Sequence, residues 1–125
     1  MITLLNDYYR IDKMAVHGHT TLFDITLLPD YGAYKGHFPG HPVAPAVCSI
    51  QMMRECAAQL AGQPLFLSTI TKCRFSAMIT PSTTPQLQLQ MKLINADMTY
   101  ILHATLLDDS TTYIEFKGEL TTVQK

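Results

Sequence analysis

Pro45-Ala46-Val47-Cys48-Ser49-Ile50-Gln51-Met52-Met53-Arg54-Glu55-Cys56-Ala57-Ala58-Gln59-Leu60-Ala61-Gly62 is the stretch on which the fold turns. No proline or glycine interrupts it between its two ends. Pro45 suits the entry to a first helical turn, and Gly62 suits the left-handed position that closes a helix. Ala46, Ile50, Met53, Ala57, Leu60 and Ala61 recur at helical spacing on one face. Cys48, Met52 and Cys56 make the opposite side apolar as well. The spacing therefore predicts one helix over 46–61, roughly 24 Å long at ~1.5 Å per residue. An apolar surface on nearly all sides predicts burial on nearly all sides.

Outside this stretch, strand patterns dominate the chain. Gln86-Leu87-Gln88-Leu89-Gln90-Met91-Lys92-Leu93 alternates polar and apolar residues without a break, as a strand with one wet and one buried face does. Asn95-Ala96-Asp97 then marks a turn, and Met98 to Leu107 is rich in Thr, Ile, Tyr and Leu. Asp108-Asp109-Ser110 marks a second turn. After it, Ile114, Phe116 and Leu120 alternate with Tyr113, Glu115, Lys117 and Glu119. This is a three-stranded antiparallel meander. Before the helix, Phe23, Ile25 and Leu27 alternate with Asp24 and Thr26, a strand from about Thr20 to Leu28, and Tyr8 to Lys13 makes a short first strand. A further β-rich run spans Leu65 to Phe75. Strands, one long helix, then antiparallel strands predict an α+β fold: a sheet wrapped around a central helix.

Composition limits the function. The chain has 125 residues, a length that suits one domain over 1–125 and buries about 65% of its unfolded surface. Nine Lys+Arg against 10 Asp+Glu give a net charge of −1, without the basic excess of a nucleic-acid binder. Hydrophobic residues at 47% and charged residues at 15% exclude a disordered tail and suggest that a partner subunit covers part of the surface. No apolar run approaches the ~20 residues that cross a bilayer. The N-terminus carries Asp7 before any apolar stretch of signal-peptide length. Cys48, Cys56 and Cys73 are an odd set at loose spacing, read as reduced, mostly buried thiols. A cytoplasmic protein that neither enters a membrane nor binds nucleic acid is expected.

The chemistry lies in the loop that leads into the helix. Gly32, Gly36 and Gly40 with Pro39, Pro42 and Pro45 set an irregular, stiff path that carries His37 and ends at the helix start. The first helical amides have no partner within the helix and sit at the positive end of its dipole. A histidine beside such amides pairs a general base with an oxyanion site.

The run Gly36-His37-Phe38-Pro39-Gly40-His41-Pro42-Val43, followed by Pro45 and the helix, resembles the signature loop of 3-hydroxyacyl-[acyl-carrier-protein] dehydratases. Arg74-Phe75 and Pro81 extend the likeness more weakly. That family has the hot-dog fold, an antiparallel sheet around a long central helix, and works as dimers. The resemblance implies that His37 removes the proton α to a thioester carbonyl, oriented by a backbone carbonyl near Val43. Phe38, Pro39, Gly40 and Val43 would line the substrate site, and amides around Ala46 and Val47 would hold the thioester oxygen. Water is eliminated to give a trans-2-enoyl thioester, in fatty-acid or polyene-type biosynthesis, without metal or organic cofactor. The implied partner is an acidic acyl carrier protein, docked on Lys35, Lys72, Arg74 and Lys92.

Two departures bear on this. The family carries Glu or Asp fourteen residues after the histidine, on the partner's helix; that position is Gln51, an amide with no proton to transfer. Glu55, one turn on, is a candidate substitute acid. Alternatively Gln51 itself serves in the catalytic site by positioning substrate or a water, and the enzyme is slow or inactive alone; a mixed dimer in which another hot-dog chain supplies the acid is a second solution. A non-catalytic subunit that binds acyl intermediates is a third, and acyl thioester hydrolysis ranks below these. The basic pair that the family often shows after Arg-Phe is Ser76-Ala77 here.

Other residues give weaker signals. His17 and His19 flank Gly18 and read as a turn, so no metal site is expected there. His103 reads as an ordinary strand-face residue, and Cys48 near the helix start is a candidate for a lowered thiol pKa.

Overall fold

The computed structural model describes residues 4–28, 46–80 and 85–122. Six strands and one helix follow in the order β1 (Tyr9–His17), β2 (Thr20–Leu27), α1 (Ala46–Ala61), β3 (Phe66–Phe75), β4 (Gln86–Ala96), β5 (Thr99–Leu107) and β6 (Thr112–Thr121). The strands form one antiparallel sheet in the order β1-β2-β4-β5-β6-β3. This is the hot-dog arrangement. β1 and β3 are its edges.

Local rules set the connections. Gly18, at φ 63°, and Asp97, at φ 63°, take left-handed backbone in the tight β1–β2 and β4–β5 turns. Gly62, at φ 71°, ends α1, and its amide bonds the Ala58 carbonyl at 2.9 Å. Alternation carries one side chain in two to the core: Phe23, Ile25, Leu27, Leu87, Leu89, Met91, Leu102, Leu106, Phe116 and Leu120 are buried with the helix in one cluster. Asp108 caps the β5–β6 turn by accepting from the Ser110 amide at 2.9 Å and the Thr111 amide at 2.8 Å.

Three expectations change. The first strand runs four residues further than Lys13, because a bulge between Ile11 and Lys13 shifts the alternation so that Met14 again lies across from Phe23. Tyr113, expected on the wet face, is buried, with its hydroxyl on Asp108. The helix is not buried on nearly all sides. Its buried residues are Cys48, Ser49, Met52, Met53, Cys56 and Ala57, a stripe turned away from the predicted one and sharing only Met53 and Ala57 with it. One chain's sheet has a single concave side, so it covers half of the cylinder. Ile50, Gln51, Arg54 and Ala58 remain half-buried, and Val47 is 70% exposed.

Candidate active site

The half of α1 that the sheet leaves open carries the described part of the site. The helix has no acidic side chain in its first turn, so nothing of its own offsets the positive end of the dipole. Ala46 and Val47 stand exposed at that end. Gln51 follows one turn later and Glu55 a turn beyond it. His37, Phe38, Pro39, Gly40, Val43 and Lys35, together with Pro81, lie outside the described residues.

Gln51 and Glu55 meet. The Gln51 Nε2 donates to Glu55 Oε2 at 3.0 Å. Glu55 takes three further bonds, two from residues 4 and 5, where the sequence predicts no element, and one from Tyr9 on β1. Residues 4–8 curl into a turn in which the Asp7 and Tyr8 amides bond the Leu4 carbonyl at 3.0 and 2.8 Å and Asn6 takes φ 70°. The curl aims two amides at the helix: Leu4 N donates to Glu55 Oε2 at 2.8 Å, and Leu5 N donates to Oε1 at 3.2 Å. The Tyr9 hydroxyl donates to Oε1 at 2.9 Å. Arg54 stands 4.0 Å from the same carboxylate and ties α1 to the start of β3 through the Leu65 carbonyl at 3.1 Å. An i, i+4 pair of Gln and Glu was visible in the sequence; the fold around residues 4–9 that completes the cluster was not.

Beside this cluster the thiols are suppressed. Burial, with the Glu55 charge nearby, pushes the Cys56 thiol up to about 12 despite its hydrogen bond with Tyr9. Burial likewise raises the Tyr9 phenol, with further contributions from Cys56 and Glu55. Cys48 is also raised by burial, which corrects the expectation of a lowered pKa: desolvation outweighs the helix end. All three cysteines are free thiols. Among the described residues, no group of His, Cys, Asp and Glu is arranged to hold a metal ion.

Of the docking candidates, Lys72, Arg74 and Lys92 are described, and they are exposed on the strands of the sheet. Strand register sets Lys92 opposite His103, His103 opposite Lys117, and Lys117 opposite Lys72, one exposed basic row across β4, β5, β6 and β3. Arg74 lies in the next row, opposite Glu115. Lys117 and His103 were missed as members because their alignment depends on cross-strand register.

The comparisons with known proteins agree with this architecture. The family model of the ApeI-like dehydratases (ApeI dehydratase) matches residues 13–113. The chain belongs to that family. Among curated relatives, a 3-hydroxyacyl-[acyl-carrier-protein] dehydratase FabZ of Pelotomaculum thermopropionicum is 33% identical over 67 residues, covering 48% of this chain and 46% of that one. The FabZ of Pediococcus pentosaceus is 26% identical over 98 residues, covering 58% and 66%. The chain thus spans about half the length of most curated relatives it matches, 46%, 45% and 44% for three of them. Among solved structures, a chain of the dehydratase heterocomplex ApeI:P from Xenorhabdus doucetiae superposes with TM-score 0.70 at 20% identity, covering 89% of this chain and 96% of that one. The dehydratase domain of the polyketide PpsC from Mycobacterium tuberculosis gives TM-score 0.58 at 15% identity, covering 92% and 44%. Both likenesses are of fold.

Proposed function

We propose that this chain takes part in the dehydration of 3-hydroxyacyl groups carried on an acyl carrier protein, with His37 as the base. The imidazole takes the proton α to the thioester carbonyl. The C–H electrons form the 2,3-double bond, and the C3–O bond breaks as the hydroxyl leaves with a proton as water. Amides at the start of α1, near Ala46 and Val47, hold the thioester oxygen as negative charge develops on it. No metal or organic cofactor enters. Phe38, Pro39, Gly40 and Val43 shape the pocket. The basic row Lys72–Lys117–His103–Lys92, with Lys35 and Arg74, receives the acidic carrier, and the reaction runs in the cytoplasm. The observation that carries the reading is the sequence Gly36–Val43 placed directly before a helix that bears half-buried Gln51.

Gln51 favours a second arrangement. An amide cannot protonate the departing hydroxyl. A mixed dimer solves this: a second hot-dog chain presents the carboxylate, and a chain of similar fold is part of the dehydratase heterocomplex ApeI:P. The edge β3, with Ile70 47% and Phe75 48% exposed, is the seam for either a like or an unlike partner.

The test is turnover. The purified chain, alone and with any co-purifying hot-dog chain, is incubated with 3-hydroxyacyl carrier proteins of graded length, and enoyl product is followed. Activity that vanishes in His37→Ala is expected. Activity in Gln51→Glu alone, without a partner, would assign the acid to the partner chain. No turnover in either assembly would overturn the dehydratase reading, and release of free thiol without enoyl product would replace it with thioester hydrolysis.

A further inference from the structure

We propose that the basic row of the sheet takes one acidic α-helix of a protein partner, laid across the four strands at right angles to them, with Lys117 as its central contact. That the helix belongs to an acyl carrier protein rests on the dehydratase reading; that the row takes an acidic helix does not.

Strand register builds the row. Lys92 lies opposite His103, His103 opposite Lys117, and Lys117 opposite Lys72. All four are exposed. Their chain neighbours Met91, Ala104 and Phe116 are buried and pair with one another, so the row faces away from the core. Like charges directly opposite one another weaken a sheet. Lys117 meets a basic side chain on each side, His103 on β5 and Lys72 on β3. The fold therefore gains nothing from this row, and an anion set against it offsets the repulsion.

The shape of the row selects the anion. On β6, Glu115 precedes Lys117 and Glu119 follows it on the same face, opposite Thr105 and Ile101. A broad anionic surface such as a bilayer would press against both glutamates. A slender rod along the row meets only the basic side chains. The pitch of that rod is helical. Strands ~4.8 Å apart spread the four side chains over ~14 Å. Acids at i, i+4, i+7 and i+11 of a helix cover ~16 Å, and lysine stems absorb the ~2 Å difference. An extended segment repeats every ~6.8 Å on one face and runs ~6 Å out of step. Beside the row, Ile94, 42% exposed, pairs with Ile101 and offers apolar contact to the flank of the helix.

Binding to the full chain is measured at low salt for three probes: an apo acyl carrier protein, a helical peptide of about 16 residues with glutamate at i, i+4, i+7 and i+11, and a peptide of the same composition with its glutamates spread round the helix. The carrier and the patterned peptide should bind, and the spread peptide about ten-fold more weakly. Lys117→Gln should weaken carrier and patterned peptide by about three- to ten-fold, while Lys13→Gln, which removes an exposed lysine of β1 outside the row, should leave both unchanged. The urea midpoint of Lys117→Gln should hold or rise, which separates lost binding from lost folding. Equal losses in the two variants, equal binding of the two peptides, or a lower midpoint in Lys117→Gln would overturn the proposal. So would binding to phosphatidylglycerol vesicles that Lys117→Gln abolishes, with neither carrier nor peptide bound, which would assign the row to a membrane. A carrier-free 3-hydroxyacyl pantetheine thioester keeps the two readings apart. Lys117→Gln should turn it over as wild type does. Its failure to react in every assembly counts against the dehydratase reading, while the binding measurements still decide the row.

Discussion

Gly118 shows how much one missing side chain sets. It lies on β6 across from Ile70, between two bulges of β3. A Cβ there would stand 2.8 Å from the Thr69 carbonyl oxygen and 2.9 Å from the Phe116 ring, closer than atoms approach. Backbone and a core aromatic cannot both yield cheaply. Gly118→Ala should therefore destabilise the chain by about 1–3 kcal/mol, the usual range for overpacking a filled site. The measurement is the urea midpoint; a midpoint unchanged from wild type would show that the strand gives way freely. The alternation around Gly118 places it in a strand, but nothing in the sequence shows that a side chain there would clash. Its requirement arises from the β3–β6 pairing, between residues about 50 apart in the chain.

At the scale of elements, the contact between α1 and the first strand is sensitive to alkali. Tyr9 on β1 and Cys56 on α1 are both held above their ordinary values, chiefly by burial, with Cys56 at about 12. The unfolded chain loses these protons first. Their contribution is whole below the unfolded pKa values, ~8.5 for Cys and ~10 for Tyr, and is lost as pH rises toward the folded values. Stability should thus fall between pH 9 and 11 by about 1.4 kcal/mol per pH unit for each group that ionises only on unfolding. Thermal unfolding followed from pH 7 to 11 checks this. Cys56→Ala should flatten the fall, and a wild-type midpoint level across the range would contradict it. The helix itself was legible from end to end, because Pro45, Gly62 and a run between them without proline or glycine are local signals. Its facing was not. An all-round apolar helix has no preferred side until a concave sheet selects the stripe from Cys48 to Ala57.

For the whole molecule, the open edges of the sheet are where a partner would pair. β3 carries bulges and half-exposed Ile70 and Phe75 at an edge. An open apolar edge is a template for further pairing, and a two-fold partner that pairs along it removes the hazard. Ile70→Lys should shift the chain toward monomer in sedimentation velocity and lower any dehydratase activity with it; an unaltered oligomer would locate the seam elsewhere. No helix of the described residues is long and apolar enough to cross a membrane.

The sequence by itself determined the element order, the span of the helix, the C-terminal meander and the loop that relates the chain to dehydratases. Each of these depends on neighbours in the chain: alternation, turn residues, helix ends, a contiguous motif. The tertiary structure alone decided which half of α1 stays open and how Lys117 and His103 align with Lys72 and Lys92. It also decided which groups Glu55 bonds. That carboxylate looked like a spare acid one turn from Gln51. The fold brings the amides of Leu4 and Leu5 and the Tyr9 hydroxyl onto it from about 50 residues away.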